Sequence, residues 1–303
     1  ILEKGNIYLI PLMEALNLEP HMNGRTNPKS STGRLDIFTR VITDRSYRFE
    51  DIPHGYSGNL YLEIVPKSFT VKVQSGLSLN QLRIFSGEKN ENGLCGNEER
   101  LKDSELFSYY QKNPLLFDSQ DNAISVEEVV ILDGLFMGIN LKENGGGCIG
   151  YKAKKNSAII DLARTDAYEI HDYWEPLFSP KEDFLILEPE EFYIFSSKER
   201  VRVPLELAGE MVEFDAGSGE LRTHYAGFFD CGFGYGEEGE ITGTKAVMEV
   251  RPHDVPFRVE HGQIFCKLKY EKMASTPGRY YGMEIGSHYH SQQLTLSKHF
   301  KKR

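Results

Sequence analysis

The chain repeats itself, and no other feature constrains its fold as much. In one gapless register 186 residues apart, Glu63 falls on Glu249, Pro66 on Pro252, Val73 on Val259, Gly76 on Gly262 and Leu82 on Leu268. The shared phrase is an aliphatic stretch with one Glu, then Pro, a valine-rich run, Gly and another strand-like segment. A weaker echo upstream, about 185 residues apart, sets Leu2, Tyr8 and Glu14 against Leu187, Tyr193 and Glu199. Such self-similarity means two copies of one domain.

Each copy alternates with period two, as in Thr70-Val71-Lys72-Val73 and Pro256-Phe257-Arg258-Val259, and Gly and Pro cut the runs at short intervals. That pattern predicts a mainly β fold of the sandwich or barrel kind. The expected division is residues 1–140 for the first copy with its linker and 141–303 for the second. Gly87 to Asn122 is largely polar and charged, which suits a loop joining the copies, with Phe107 to Gln111 helical.

Composition narrows the function. Thirty-five basic against 45 acidic side chains give a net charge of -10, which would repel a nucleic-acid backbone. The basic cluster Lys301, Lys302 and Arg303 reads as a solvated tail. The longest apolar stretch, Val129 to Ile139, is interrupted by Asp133 and falls short of the roughly 20 residues that span a bilayer. No membrane or nucleic-acid partner is expected. The four cysteines, at 95, 148, 231 and 266, contain no Cys-x-x-Cys pair and point to reduced thiols in the cytoplasm. Ile1 stands where a Met is expected, so residues are expected to be missing upstream.

Three segments carry chemistry. Asn27 to Arg34 packs three hydroxyls, Lys29 and Arg34 around a proline, a donor set that suits phosphate, although Ser30 or Ser31 could instead cap a helix. Glu249 follows Ala246, Val247 and Met248 in an aliphatic strand, where burial would push its carboxyl toward the range of a general base. A structural pairing with Arg251 or Arg222 is the alternative. Near the C-terminus, Tyr281 and Gln293 lie in a tyrosine- and glutamine-rich segment that could close over a ligand or be plain surface. Gly232, Gly234 and Gly236 read as a turn, and His288 and His290 have no third partner for a metal. The zinc deaminase signature, the Walker A pattern and Gly-x-Ser-x-Gly are absent from the sequence.

Lys29-Ser-Ser-Thr-Gly-Arg34-Leu35, Gly-Phe-Phe-Asp230 followed by Val247-Met248-Glu249, and His261-Gly-Gln263 together resemble the zinc-independent dCTP deaminases of the dUTPase-like superfamily, in the two-copy variety. The resemblance implies tandem β-clip or barrel domains in threefold or pseudo-threefold rings, with nucleotides between neighbouring domains. It implies hydrolytic deamination of dCTP to dUTP without zinc, with Mg²⁺ carried by the triphosphate and a homo-oligomer, expected to be a trimer of two-domain chains. By residue, it implies that Glu249 activates water, that Arg34 and Ser30 help to hold it, and that Lys29 and Ser31 bind phosphate. Asp230 would bind the deoxyribose, and Val247, Met248, Tyr281 and Gln293 would complete the substrate site. Lys29 stands where the family has a first Arg.

The copies depart from the family in complementary ways: the first has Ile52-Pro-His-Gly55 where the sugar-binding Asp is expected, and the second has Val203 to Gly209 where its phosphate segment is expected. A dUTP pyrophosphatase, a bifunctional enzyme and a catalytically dead nucleotide-binding protein are the competing readings.

Overall fold

The computed structural model describes residues 1–87, 100–142, 147–213, 221–223, 227–275, 277–280 and 293–302. The chain is mainly β and divides into two compact units. Unit 1 comprises Ile1–Glu98, Lys154–Tyr173 and Ser297–Arg303, and unit 2 comprises Glu99–Ala153 and Trp174–Leu296.

In unit 1, strand Ser57–Pro66 lies between Tyr8–Asn17 and Ile37–Thr43, antiparallel to both. A second sheet places Met22–Pro28 between Asp51–Ile52 and Asn80–Ser86. In unit 2 the same arrangement recurs with additions. Strand Thr244–Pro252 lies between Tyr193–Val201 and Leu221–Thr223, and Leu207–Glu213 lies between Phe228–Phe229 and Ile264–Lys272. Strands Cys148–Ala153 and Trp174–Phe178 extend the first of these sheets, and Leu135–Gly138 extends the second.

The repeat therefore holds at the level of single residue pairs. Tyr8 faces Ile64 and Leu9 faces Glu63 in unit 1, as Tyr193 faces Val250 and Ile194 faces Glu249 in unit 2. Thr26 faces Leu82 as Met211 faces Leu268. Because side chains alternate across a strand, this register sends Glu63 and Glu249 to equivalent faces of equivalent sheets. In unit 2 the opposite face, carrying Ala246, Met248 and Val250, enters the hydrophobic core.

Two expectations change. The segment read as a linker, in its described part from residue 100, belongs to unit 2: helix Asp103–Lys112 packs Leu106 and Tyr110 into the core beside Leu115 and Leu116. The compact units thus do not follow a cut after residue 140. Nor is Val203 to Gly209 the counterpart of Lys29–Arg34. It leads into strand Leu207–Glu213, which matches Met22–Pro28, so the counterpart register falls on residues 214–219, outside the described residues. None of the described helices is long and apolar enough to cross a membrane.

Candidate active site

Unit 1 builds the hydroxyl-rich segment as a single helical turn, Ser30–Gly33, directly after strand Met22–Pro28. The turn begins without any side-chain cap, so neither serine hydroxyl is spent on capping. Ser30 is exposed, whereas Ser31 and Arg34 are buried. The backbone N–H of Lys29 and the Thr32 hydroxyl both donate to the carbonyl of Leu79, at 2.9 Å and 2.8 Å, which fixes the turn to the neighbouring loop. Burial, and then the charge of Lys298, lower the pKa of Lys29. A partly desolvated ammonium beside another cation is poised to gain from a bound anion.

Unit 2 holds Val247, Met248 and Glu249 in strand Thr244–Pro252. Glu249 is only 4% exposed, so the aliphatic context that the sequence suggested is present. Val247 shares its face of the strand. The Met248 side chain points the other way into the core, where the Cys266 thiol lies 3.8 Å from its sulfur. A ligand on the Glu249 face would thus meet Met248 through its backbone. Arg251 directs its guanidinium to the carbonyl oxygen of Glu190, with the Glu190 carboxylate 3.5 Å away. Asp230 is exposed at the end of the short strand Phe228–Phe229.

The repeat mate Glu63 has a different fate. The Arg40 Nε donates to its carboxylate at 3.0 Å, with a second bond from Nη2, while the same guanidinium stacks over Phe49 at 3.8 Å. Two charge-assisted bonds to one carboxylate oxygen, Oε1, and the aromatic platform make this a structural ion pair. In unit 2 the described pairing on this side of the strand stops at Thr223 opposite Val250, so the counterpart of the Arg40 position lies outside the described residues.

His261-Gly262-Gln263 is a turn. Gly262 takes a φ of 81°, the Gln263 N–H donates to the Glu260 carbonyl at 3.1 Å, and the Glu260 N–H donates to the Gln263 side chain at 3.0 Å. The imidazole accepts the Leu141 N–H at Nδ1, 3.2 Å away. Gly232, Gly234 and Gly236 all have positive φ and form the expected turn. Gln293 is exposed and lines a cavity of about 950 Å³ in unit 2, where Lys245 bonds to the Ser197 and Lys198 carbonyls and Arg200 to Asp121, with Lys142 and Lys198 also on its wall. Tyr281, His288 and His290 lie outside the described residues. Among the described residues no group of three His, Cys, Asp or Glu side chains could hold a metal ion.

Sequence reasoning missed Ser297, Lys298 and His299, which unit 1 brings to the hydroxyl-rich turn. The Ser297 hydroxyl donates to the Ser31 carbonyl at 2.7 Å. The signal available was a Ser-Lys-His run close to a terminus, too short to separate from an ordinary tail.

The donor set of unit 1 and the buried glutamate of unit 2 both lie within stretches that match known domains. Residues 1–88 match the family model for the 2'-deoxycytidine 5'-triphosphate deaminase N-terminal domain, and residues 102–300 match that for its C-terminal domain. A comparison with curated proteins finds no match. Among solved structures, a 2'-deoxycytidine 5'-triphosphate deaminase from Agrobacterium tumefaciens is 44% identical with a TM-score of 0.79, covering 91% of this chain and 76% of that one. With both domain models matched in order along nearly its whole length, the chain belongs to the 2'-deoxycytidine 5'-triphosphate deaminase family.

Proposed function

We propose that the chain deaminates dCTP hydrolytically to dUTP and ammonia, with Glu249 as the general base and acid. The observation that carries this reading is the burial of Glu249, a carboxyl only 4% exposed in an aliphatic strand within the stretch that matches the deaminase C-terminal domain. Glu249 takes a proton from water as its oxygen adds to C4 of cytosine. The same proton passes to the exocyclic nitrogen, the proton of the added hydroxyl ends on N3 as the C4 carbonyl forms, the C4–N4 bond breaks, and ammonia leaves. General acid–base work by one such group contributes roughly 10²–10⁴-fold.

The remaining roles follow the chemistry of each side chain. Arg34 and Ser30 hold the attacking water and polarise the ring, Lys29 and Ser31 bind phosphate, and Asp230 takes the deoxyribose hydroxyl. Val247 and the Met248 backbone border the base, while Tyr281 and Gln293 belong to a segment that closes over the nucleotide. The donor set at residues 29–34 is cationic and hydroxylic rather than carboxylate, which suits Mg²⁺ arriving with the triphosphate better than a metal held by the protein. No zinc takes part in this reading.

Because Lys29–Arg34 belongs to unit 1 and Glu249 to unit 2, a complete site needs both kinds of unit. We place such sites between dUTPase-like domains in threefold or pseudo-threefold rings, as in a trimer of two-domain chains. The cytoplasm is the fitting compartment, in keeping with the free thiols of Cys148, Cys231 and Cys266.

Incubating dCTP and Mg²⁺ with the protein and resolving dUTP, dUMP and unreacted nucleotide tests the reaction. The expected product is dUTP. Accumulation of dUMP would show hydrolysis of the triphosphate as well, and unchanged dCTP would sink the reading. Co-refolding Arg34→Ala chains with Glu249→Gln chains tests the assembly: partial recovery is expected for a site shared between chains, and none for a site within one chain.

A further inference from the structure

We propose that Lys298 is a second phosphate-binding cation of the nucleotide site, held beside the Lys29–Arg34 turn by the last residues of the chain. The proposal rests on reading that turn as the phosphate segment.

The residues on either side of Lys298 are fixed by buried hydrogen bonds. Ser297, 2% exposed, donates its hydroxyl proton to the Ser31 carbonyl, so its oxygen accepts from Nδ1 of His299 at 2.9 Å. His299 is 3% exposed, with its Nε2 3.3 Å from the Leu162 carbonyl. The backbone is held as well: Asp166 donates to the Lys298 carbonyl at 3.0 Å and Ala167 to that of His299 at 2.9 Å. One residue on, Phe300 packs its ring against Tyr173, 5.5 Å between centroids. Lys298 therefore springs from a rigid backbone tied to the phosphate turn itself.

From that position its charge reaches Lys29 and disfavours the charged form of the Lys29 ammonium. Bringing two ammonium groups together is unfavourable unless an anion offsets them. A triphosphate of charge about -4 meeting a protein of net charge -10 needs such a concentration of cations. Lys298 also answers the loss of a bidentate arginine at position 29: two point-charge ammonium groups take the place of one planar fork. The ligand class is a nucleoside polyphosphate, read through the number of its phosphates.

The test compares Lys298→Ala, Lys298→Arg and Lys29→Ala in steady-state dCTP kinetics and in calorimetric titrations with dUTP and dUMP. For Lys298→Ala, KM for dCTP and Kd for dUTP are expected to rise about tenfold, the size of one charge-assisted contact. Its kcat should stay within about twofold, dUMP should weaken far less than dUTP, and Lys298→Arg should restore binding. An unchanged KM in Lys298→Ala beside a raised KM in Lys29→Ala would overturn this proposal alone. Unchanged values in both variants would overturn the phosphate-segment reading with it. Equal weakening of dUTP and dUMP, or a fall in kcat together with a lowered Tm, would make Lys298 structural and likewise overturn the proposal.

Discussion

Units 1 and 2 share strand order and register yet put different chemistry at matching positions. Leu9 and Ile194 occupy one such position: Leu9 is 64% exposed on an edge strand, and Ile194 is 0% exposed because strand Cys148–Ala153 pairs alongside it. Glu63 is tied to Arg40, and Glu249 lies buried in an aliphatic strand. Glu50 offers a third contrast. The Thr26 N–H donates to its carbonyl at 2.8 Å, as the Met211 N–H donates to that of Gly227 at 3.0 Å, so a buried carboxyl in one unit corresponds to no side chain in the other. The lesson is that backbone pairing and site chemistry vary independently. Pairing is set by main-chain hydrogen bonds and core-facing residues, and those are what the two copies keep.

The largest expected effect tests the glutamate pair. Glu249→Gln should lower kcat by roughly 10²–10⁴-fold while dUTP still binds, because the amide keeps the shape but accepts no proton. Glu63→Gln should change kcat by less than about twofold, and equal losses in the two variants would erase the distinction between the copies.

Core equivalence comes next. Met248 and Leu62 share a register position, and both are almost fully buried. Their alanine variants should each lose roughly 2–5 kcal/mol in denaturant unfolding. A loss at one position and none at the other would show that the matched strands do not carry matched cores.

Glu50 gives a pH signature peculiar to unit 1. Its carboxyl, buried and accepting a hydrogen bond from Thr26, is pushed up to about 7, mainly by burial. The unfolded chain ionises first, near the ordinary carboxyl value of 4.5, so stability contributed by the protonated native form is present below that value and falls as pH rises toward 7. Glu50→Gln should remove that slope and gain about 1–3 kcal/mol at pH 8 over the parent. An unchanged slope of unfolding free energy between pH 5 and 8 would rule it out.

The smallest effect concerns Arg40→Ala, which leaves a half-buried Glu63 without its guanidinium. A cost of about 1–2 kcal/mol in unfolding with unaltered kcat is expected, since the pair is partly exposed. A matching loss of kcat would return Glu63 to the catalytic account.

Much of this was legible in the sequence because identical spacings along two strands survive as identical pairings. The gapless register reached from Glu63 to Leu82 and carried the strands around Glu249 correctly. Upstream of Asp230 the weaker echo, 185 residues apart, carries Lys29–Arg34 onto residues 214–219, so Val203 to Gly209 was set against the phosphate turn one strand too early. Residues 100–140 were obscured differently: Leu106, Tyr110, Leu115 and Leu116 are spread among charged neighbours, so their shared burial shows only once helix Asp103–Lys112 is folded. The anchoring of Ser297 to Ser31 joins residues 266 positions apart, beyond the reach of any local pattern.

That distant anchoring has a bearing on synthesis. Unit 1 is made first for the most part, yet its stretches Lys154–Tyr173 and Ser297–Arg303 emerge much later. A nascent chain leaving the ribosome from its N-terminus holds strands Tyr8–Asn17 to Asn80–Ser86 while the partners of Ser31, Val71 and Tyr168 are still untranslated or inside the exit tunnel. Unit 1 can close only once Ser297–Arg303 has been made, which is after every residue of unit 2. A premature stop just upstream of Ser297 would spare every residue of unit 2 and leave the earlier-made unit permanently unfinished.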